Sequence, residues 1–131
     1  MRAVRLLLAA DSPGHTVGYS VVARGFRDAG IEVISGGYLL PRQIVQQALE
    51  EDVEWIGYRI MDGSPDILVA ALMEELRRQG GDGIRVVVGG IVQRSAIPEL
   101  KTMGVAGVFT PGSRIAEIVD FLQGGANELP R

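Results

Sequence analysis

With 131 residues, 47% of them hydrophobic, the chain is long enough for one continuous core and too short for two, so residues 1–131 read as a single domain. Its 16 acidic and 13 basic residues give a formal charge of -3, and no stripe of lysine or arginine is present to follow a phosphate backbone, which argues against nucleic acid as a partner. Cysteine is absent, which excludes disulfides and thiolate metal sites and suits a cytoplasmic protein.

The first apolar run, Val4 to Ala10, is too short to cross a membrane and is followed by an acidic turn, not by a small-residue cleavage site. It reads as a buried strand, neither signal peptide nor membrane span. A helix follows, with Val22, Gly25, Phe26 and Ala29 at helical spacing, and Gly30 closes it. Ile31 to Ile34 reads as the second strand. Pro41 opens a helix with Ile44, Val45, Ala48 and Leu49 on one face, and the Glu50-Glu51-Asp52 cluster at its end reads as solvated surface. Trp55 to Arg59 is the third strand. Ser64, as cap, and Pro65 start a third helix whose apolar face is Leu68, Val69, Leu72, Met73 and Leu76, stopped at Gly80. The strand Arg85 to Val88 comes next, then a short helix with Ile97, Leu100 and Met103, ended by Gly104. The strand Gly107 to Phe109 and a helix with Ile115, Ile118, Val119 and Leu122 complete the pattern, with Gly124 to Arg131 as a frayed tail.

Strict alternation of strand and helix requires crossover connections and therefore a parallel sheet. Five strands with helices on both faces predict an α/β, flavodoxin-like (Rossmann-like), doubly wound sheet of order 2-1-3-4-5. In such a sheet ligands bind beyond the carboxyl ends of the strands, where strands one and three part. The loops there are Asp11 to Val17, Arg59 to Ser64, Gly89 to Arg94 and Thr110 to Ser113. The first carries the only histidine, His15, and the paired Gly89-Gly90 removes side chains from the crevice floor.

In these loops the chain resembles the cobalamin-binding domain of the methylmalonyl-CoA mutase type, a domain that also occurs as a small subunit of related acyl-CoA mutases. The family carries D-x-H-x-x-G after strand one, matched here by His15 and Gly18. It carries a Gly-Gly pair after strand four, matched by Gly89 and Gly90. A Phe-x-Pro-Gly-Thr type turn after strand five is matched by Phe109, Pro111, Gly112 and Ser113. Similarity extends from about Val4 to Leu122. The resemblance implies a corrinoid, adenosylcobalamin first, whose nucleotide tail detaches and whose lower cobalt ligand becomes a loop histidine, here His15. It implies a slot for the tail between the first helix and the sheet, kept open by small residues at Gly14, Gly18, Ser20, Gly57 and Gly90. Asp11, Ser12, Gly14, Thr16, Arg59, Met61 and Thr110 complete the cofactor-binding set by their place in the same loops. A barrel-bearing large subunit would supply the acyl-CoA site, and an empty crevice would also favour self-association.

Two residues depart from the family pattern. Pro13 stands where an aspartate two residues before the histidine would accept a hydrogen bond from its ring, and loss of such a partner typically costs about 10- to 100-fold in metal affinity. Asp11 could fold back to take that role. Arg59-Ile60-Met61 replaces S-x-L after strand three, placing a permanent charge where the family has a small serine. Its guanidinium requires a partner: Asp11 or Asp62, which would close the slot, or the phosphate of a repositioned tail.

Three other readings compete. A response-regulator receiver needs an acidic cluster, an aspartate ending strand three and a lysine after strand five, but Arg59 and Thr110 stand at the last two positions. A flavodoxin-like electron carrier needs aromatic residues to sandwich its flavin, and no loop offers them. A non-catalytic interaction subunit that has lost the cofactor remains, supported by Arg59.

Overall fold

The computed structural model describes residues 3–124. Its elements are β1 (Arg5–Ala10), α1 (Thr16–Asp28), β2 (Glu32–Tyr38), α2 (Pro41–Glu50), β3 (Trp55–Ile60), α3 (Pro65–Gln79), β4 (Arg85–Gly90), a single 3-10 turn (Arg94–Ala96), α4 (Ile97–Thr102), β5 (Gly107–Phe109) and α5 (Ile115–Gln123). All strand pairs are parallel, in the order β2-β1-β3-β4-β5. This is the doubly wound sheet expected from the alternation of strands and helices. The tail expected to fray lies, beyond Gly124, outside the described residues.

Two cores sandwich the sheet because side chains alternate along each strand. Leu6 and Leu8 of β1, Trp55 of β3 and Val87 of β4 pack with Ala23 and Phe26 of α1 and Val119 and Leu122 of α5. Leu7 and Ala9, with Ile56, Tyr58 and Ile60, face the buried sides of α2, α3 and α4. The same alternation turns Arg59 toward α1 and α5. Trp55 is fully buried, tilted against Phe121 at 5.9 Å, with the Arg85 guanidinium 4.3 Å above its ring.

Details differ from the sequence reading: β3 runs on to Ile60, and β4 takes in Gly89 and Gly90, which read from the sequence as the start of a loop. β2 continues to Tyr38, because a register shift against β1 between Leu8 and Ala9 absorbs one residue, and Gly37 takes the positive φ of 69° that the irregularity requires. Gly36 and Gly37, beyond the expected end of the strand, therefore carry a bulge. Ser64 does sit at the N-cap of α3, but its hydroxyl donates to the Asp66 carboxylate and caps no backbone amide. Glu51 is not merely solvated: its carbonyl and carboxylate accept Arg5 Nε at 2.7 Å and Nη2 at 2.9 Å, which ties the end of α2 to β1.

Candidate functional site

A cleft of about 260 Å³ opens between α1 and α5 at the carboxyl ends of β1, β3, β4 and β5. Val22 and Phe26 of α1 face Ile115 and Ile118 of α5 across it, and Leu8, Gly57 and Val87 form the floor. Its wall is therefore mainly apolar. A Cβ on Gly57 would stand 3.3 Å from the Leu8 side chain, so glycine there keeps the floor low. Gly90 has φ 100°, and a Cβ would come within 2.2 Å of the Ile60 carbonyl oxygen. Only glycine lets β4 turn so closely past β3.

Of the residues singled out from the sequence, Arg59, Met61, Gly89, Gly90, Phe109, Thr110, Pro111, Gly112 and Ser113 line this cleft. Asp11, Ser12, Gly14, His15, Thr16 and Gly18 do not. They form the adjoining loop and the first turn of α1 on the same rim. Arg59 joins the two groups, with Nη1 donating to the His15 carbonyl at 3.1 Å and the guanidinium lying where a Cβ on Gly18 would stand, 2.2 Å from Nη2. The charge thus lies against the backbone of α1 at the side of the cleft. Of the residues expected to keep the slot open, Gly57 and Gly90 line it, Gly18 admits the guanidinium, and Gly14 and Ser20 are exposed away from it.

His15 is the N-cap of α1, in the left-handed conformation (φ 58°, ψ 38°), and its side chain is 43% exposed. Its Nε2 lies 3.1 Å from Asp62 Oδ1 in the loop after β3. Asp11 does not fold back to the ring. Its carboxylate accepts the backbone N–H groups of Met61 at 2.8 Å, Asp62 at 3.0 Å and Gly63 at 2.6 Å, because a carboxylate at the end of β1 meets three convergent amides of the neighbouring loop. Nor does either aspartate pair with Arg59, whose donor goes to a carbonyl. The Ser12 hydroxyl first, and then the His15 ring, hold the Asp62 carboxyl below the usual carboxylate range. Burial, reinforced by the negative charge of Asp11, pushes the Tyr58 phenol up to about 12.

Sequence reasoning missed Asp62 as the partner of His15 and missed the helix residues that wall the cleft. The signal for Asp62 was available, since Pro13 leaves an acceptor wanting and Asp62 is the other carboxylate in the strand-end loops. No cluster of three or more His, Cys, Asp or Glu able to hold a metal occurs among the described residues. No helix among those residues is long and apolar enough to cross a membrane.

The family model for the B12 binding domain matches residues 5–120. The large subunit of methylmalonyl-CoA mutase from Streptomyces virginiae is 36% identical over 118 residues, covering 88% of this chain and 16% of that protein. Mitochondrial methylmalonyl-CoA mutase of Homo sapiens is 37% identical over 116 residues, covering 87% and 16%. The chain thus spans about 16% of the length of the curated relatives it matches. Among solved structures, a cobalamin-binding protein from Desulfitobacterium hafniense DCB-2 superposes with a TM-score of 0.74 at 18% identity, over 93% of this chain and 58% of that one. The receiver domain of the response regulator NarL from Mycobacterium tuberculosis superposes at 0.75 with 15% identity, over 98% of this chain and 100% of that one. At such identities these two share the fold alone.

Proposed function

The chain belongs to the B12-binding domain family, related to methylmalonyl-CoA mutase, and on that premise we propose that residues 1–131 act as one cobalamin-carrying domain that works with a separate catalytic subunit. The cofactor of the family is cobalamin, and the residues present fit it. A mainly apolar cleft with a glycine floor and an accessible imidazole share one rim. That juxtaposition carries the reading.

In this reading the cleft between α1 and α5 takes the detached nucleotide tail, and His15 serves as the lower ligand of cobalt. Neutral imidazole is a good ligand when its other nitrogen is held by an acceptor. Gly57, Gly89 and Gly90 admit a flat base close to backbone, while Val22, Phe26, Ile115 and Ile118 exclude water from it. The turn Phe109 to Ser113 closes the far side. Adenosylcobalamin, the form proposed here, supplies a cobalt–carbon bond that can break to start a radical rearrangement. In this reading substrate binding falls to a partner, a barrel-bearing mutase subunit, because the relatives carry this domain as about 16% of a longer chain. Val17, Ile67 and Ile91 are 78%, 67% and 55% exposed where strands give way to loops and helix starts on the crevice side, an apolar rim suited to docking that partner or a second copy of this chain. The cytoplasm fits a cysteine-free chain.

The test is an absorbance titration with hydroxocobalamin, repeated with His15→Ala. Wild type is expected to take on a histidine-ligated spectrum that the variant lacks. No binding by either protein would leave the second reading, an interaction subunit without cofactor, which the guanidinium packed on Gly18 favours.

A further inference from the structure

Gly57 and Arg59 share one face of β3, two residues and about 6–7 Å apart along the strand. Gly57 lies level with Leu8 and Val87 on the floor of the cleft, whereas Arg59 lies level with Ala10 and Gly89 at the strand ends. The guanidinium therefore stands at the mouth, above the floor. It does not fill the cleft: the volume of about 260 Å³ is present with this side chain in place, because Nη1 donates to the His15 carbonyl and the group lies against α1 at Gly18.

That charge has no counter-ion among the described residues. Asp11 is committed to three amides and Asp62 to the His15 ring, and Nε and Nη2 of Arg59 find no acceptor. The first turn of α1 contains no acidic residue, and the start of a helix is the positive end of its peptide dipoles, so the backbone beside Arg59 does not offset it. A permanently charged, half-buried guanidinium with donors to spare, on a mainly apolar cleft, calls for an anion.

We propose that Arg59 is the contact for the phosphate of the corrinoid tail and makes this domain selective for corrinoids whose tail carries phosphate. The proposal rests on the reading of the cleft as the slot for that tail. A base lying over Gly57 leaves the phosphate of the same nucleotide nearer the mouth, at the level of Arg59. The phosphodiester is the one anionic group of the tail, and the amide side chains of the corrin ring are neutral. A guanidinium can give two parallel hydrogen bonds to phosphate oxygens, and Nε and Nη2 are the pair that stands unused. Where the family has an uncharged serine, this chain thus adds an electrostatic contact.

Three corrinoids separate phosphate from base. Hydroxocobalamin carries both, cobinamide phosphate carries the phosphate without ribose or base, and cobinamide carries neither. Each is titrated by absorbance into the full chain and into Arg59→Gln, and the ratio of the two dissociation constants is taken for each corrinoid, so that the cost of detaching the base cancels. Glutamine keeps a donor for the His15 carbonyl and removes the charge. The variant is expected to bind hydroxocobalamin and cobinamide phosphate about 5- to 10-fold more weakly, the share of one partly solvated, charge-assisted hydrogen bond. Its affinity for cobinamide should match wild type, which also shows that the variant is folded. Equal loss on all three corrinoids would mean that Arg59 acts only through the His15 carbonyl, and would overturn the proposal. No loss, or tighter uptake of hydroxocobalamin by the variant, would overturn it too, as would a loss on hydroxocobalamin alone, which would assign the side chain to the base. A wild-type protein that takes up none of the three would overturn the cobalamin reading itself and the tail contact with it.

Discussion

Replacing Gly90 by alanine gives the most direct check on how the crevice is built. The backbone there has φ 100°, and an L-residue in a left-handed conformation costs about 1–2 kcal/mol. The added Cβ would also lie 2.2, 2.8 and 2.9 Å from the oxygen, carbon and nitrogen of Ile60. Those are backbone atoms of β3, which is paired to β1 on its other side, so no rotamer change relieves the clash and the two strands must part. Overpacking of this kind typically costs about 1–3 kcal/mol, which brings the total to about 2–5 kcal/mol. For a chain of this size each kcal/mol shifts the melting temperature by about 3–5 °C. The control is Gly30→Ala, at φ 92° with nothing within 4 Å of its Cβ, which carries the conformational cost alone. Urea or thermal unfolding of the two variants should separate them by about 1–3 kcal/mol, the steric share. Equal destabilisation would show that β4 does not pass Ile60 as described and would refute the account of the crevice floor.

Arg59→Ser removes the donor to the His15 carbonyl and is expected to weaken histidine-ligated uptake of hydroxocobalamin several-fold; tighter uptake would mean that the guanidinium obstructs the cleft. Asp11→Ala takes the acceptor from three amides, so hydrogen exchange at Met61, Asp62 and Gly63 should accelerate together while the β3 amides stay protected. Exchange unchanged at those three positions would contradict the clasp between the loops. Tyr58, raised from 10.0 to about 12, should give a late component, well above the ordinary tyrosine range, when tyrosinate absorbance is followed. Below the unfolded value its phenol is protonated in both states and leaves stability unchanged. As pH rises from about 10 to 12 the unfolded chain releases this proton first, so the contribution of Tyr58 to stability is lost across that window. A titration curve with no such late component would place Tyr58 outside the buried face of β3.

The elements were legible in the sequence because burial leaves two different periods. A strand covered on both faces, such as Val86-Val87-Val88, is a continuous apolar run, whereas α3 shows Leu68, Val69, Leu72 and Leu76 at helical spacing. The end of β2 was not legible, since the apolar run stops at Ile34 and Ser35-Gly36-Gly37 gives no strand signal unless the register of β1 beside it is known. The crevice loops could be located from topology alone, but the cleft walls could not. Val22, Phe26, Ile115 and Ile118 have the spacing of ordinary core positions, and only the gap between α1 and α5 turns them into lining. The partner of His15 was misjudged for a related reason. Asp11 is near in sequence, yet its carboxylate is committed to three amides, while the ring meets a residue 47 positions away.

Fold likeness by itself would not have separated the competing functions, because a receiver domain superposes on this chain as well as a cobalamin-binding protein does, at TM-scores of 0.75 and 0.74. The discrimination lies in what the same strand ends carry. Receiver chemistry requires carboxylates free to hold a cation and an aspartate ending β3. Here that position is Arg59, and Asp11 has its oxygens occupied by the amides of residues 61–63. In this chain the acidic residues at the switch point are engaged, Asp11 by three loop amides and Asp62 by the His15 ring. Placing an aspartate at Arg59 would therefore not by itself create a magnesium site.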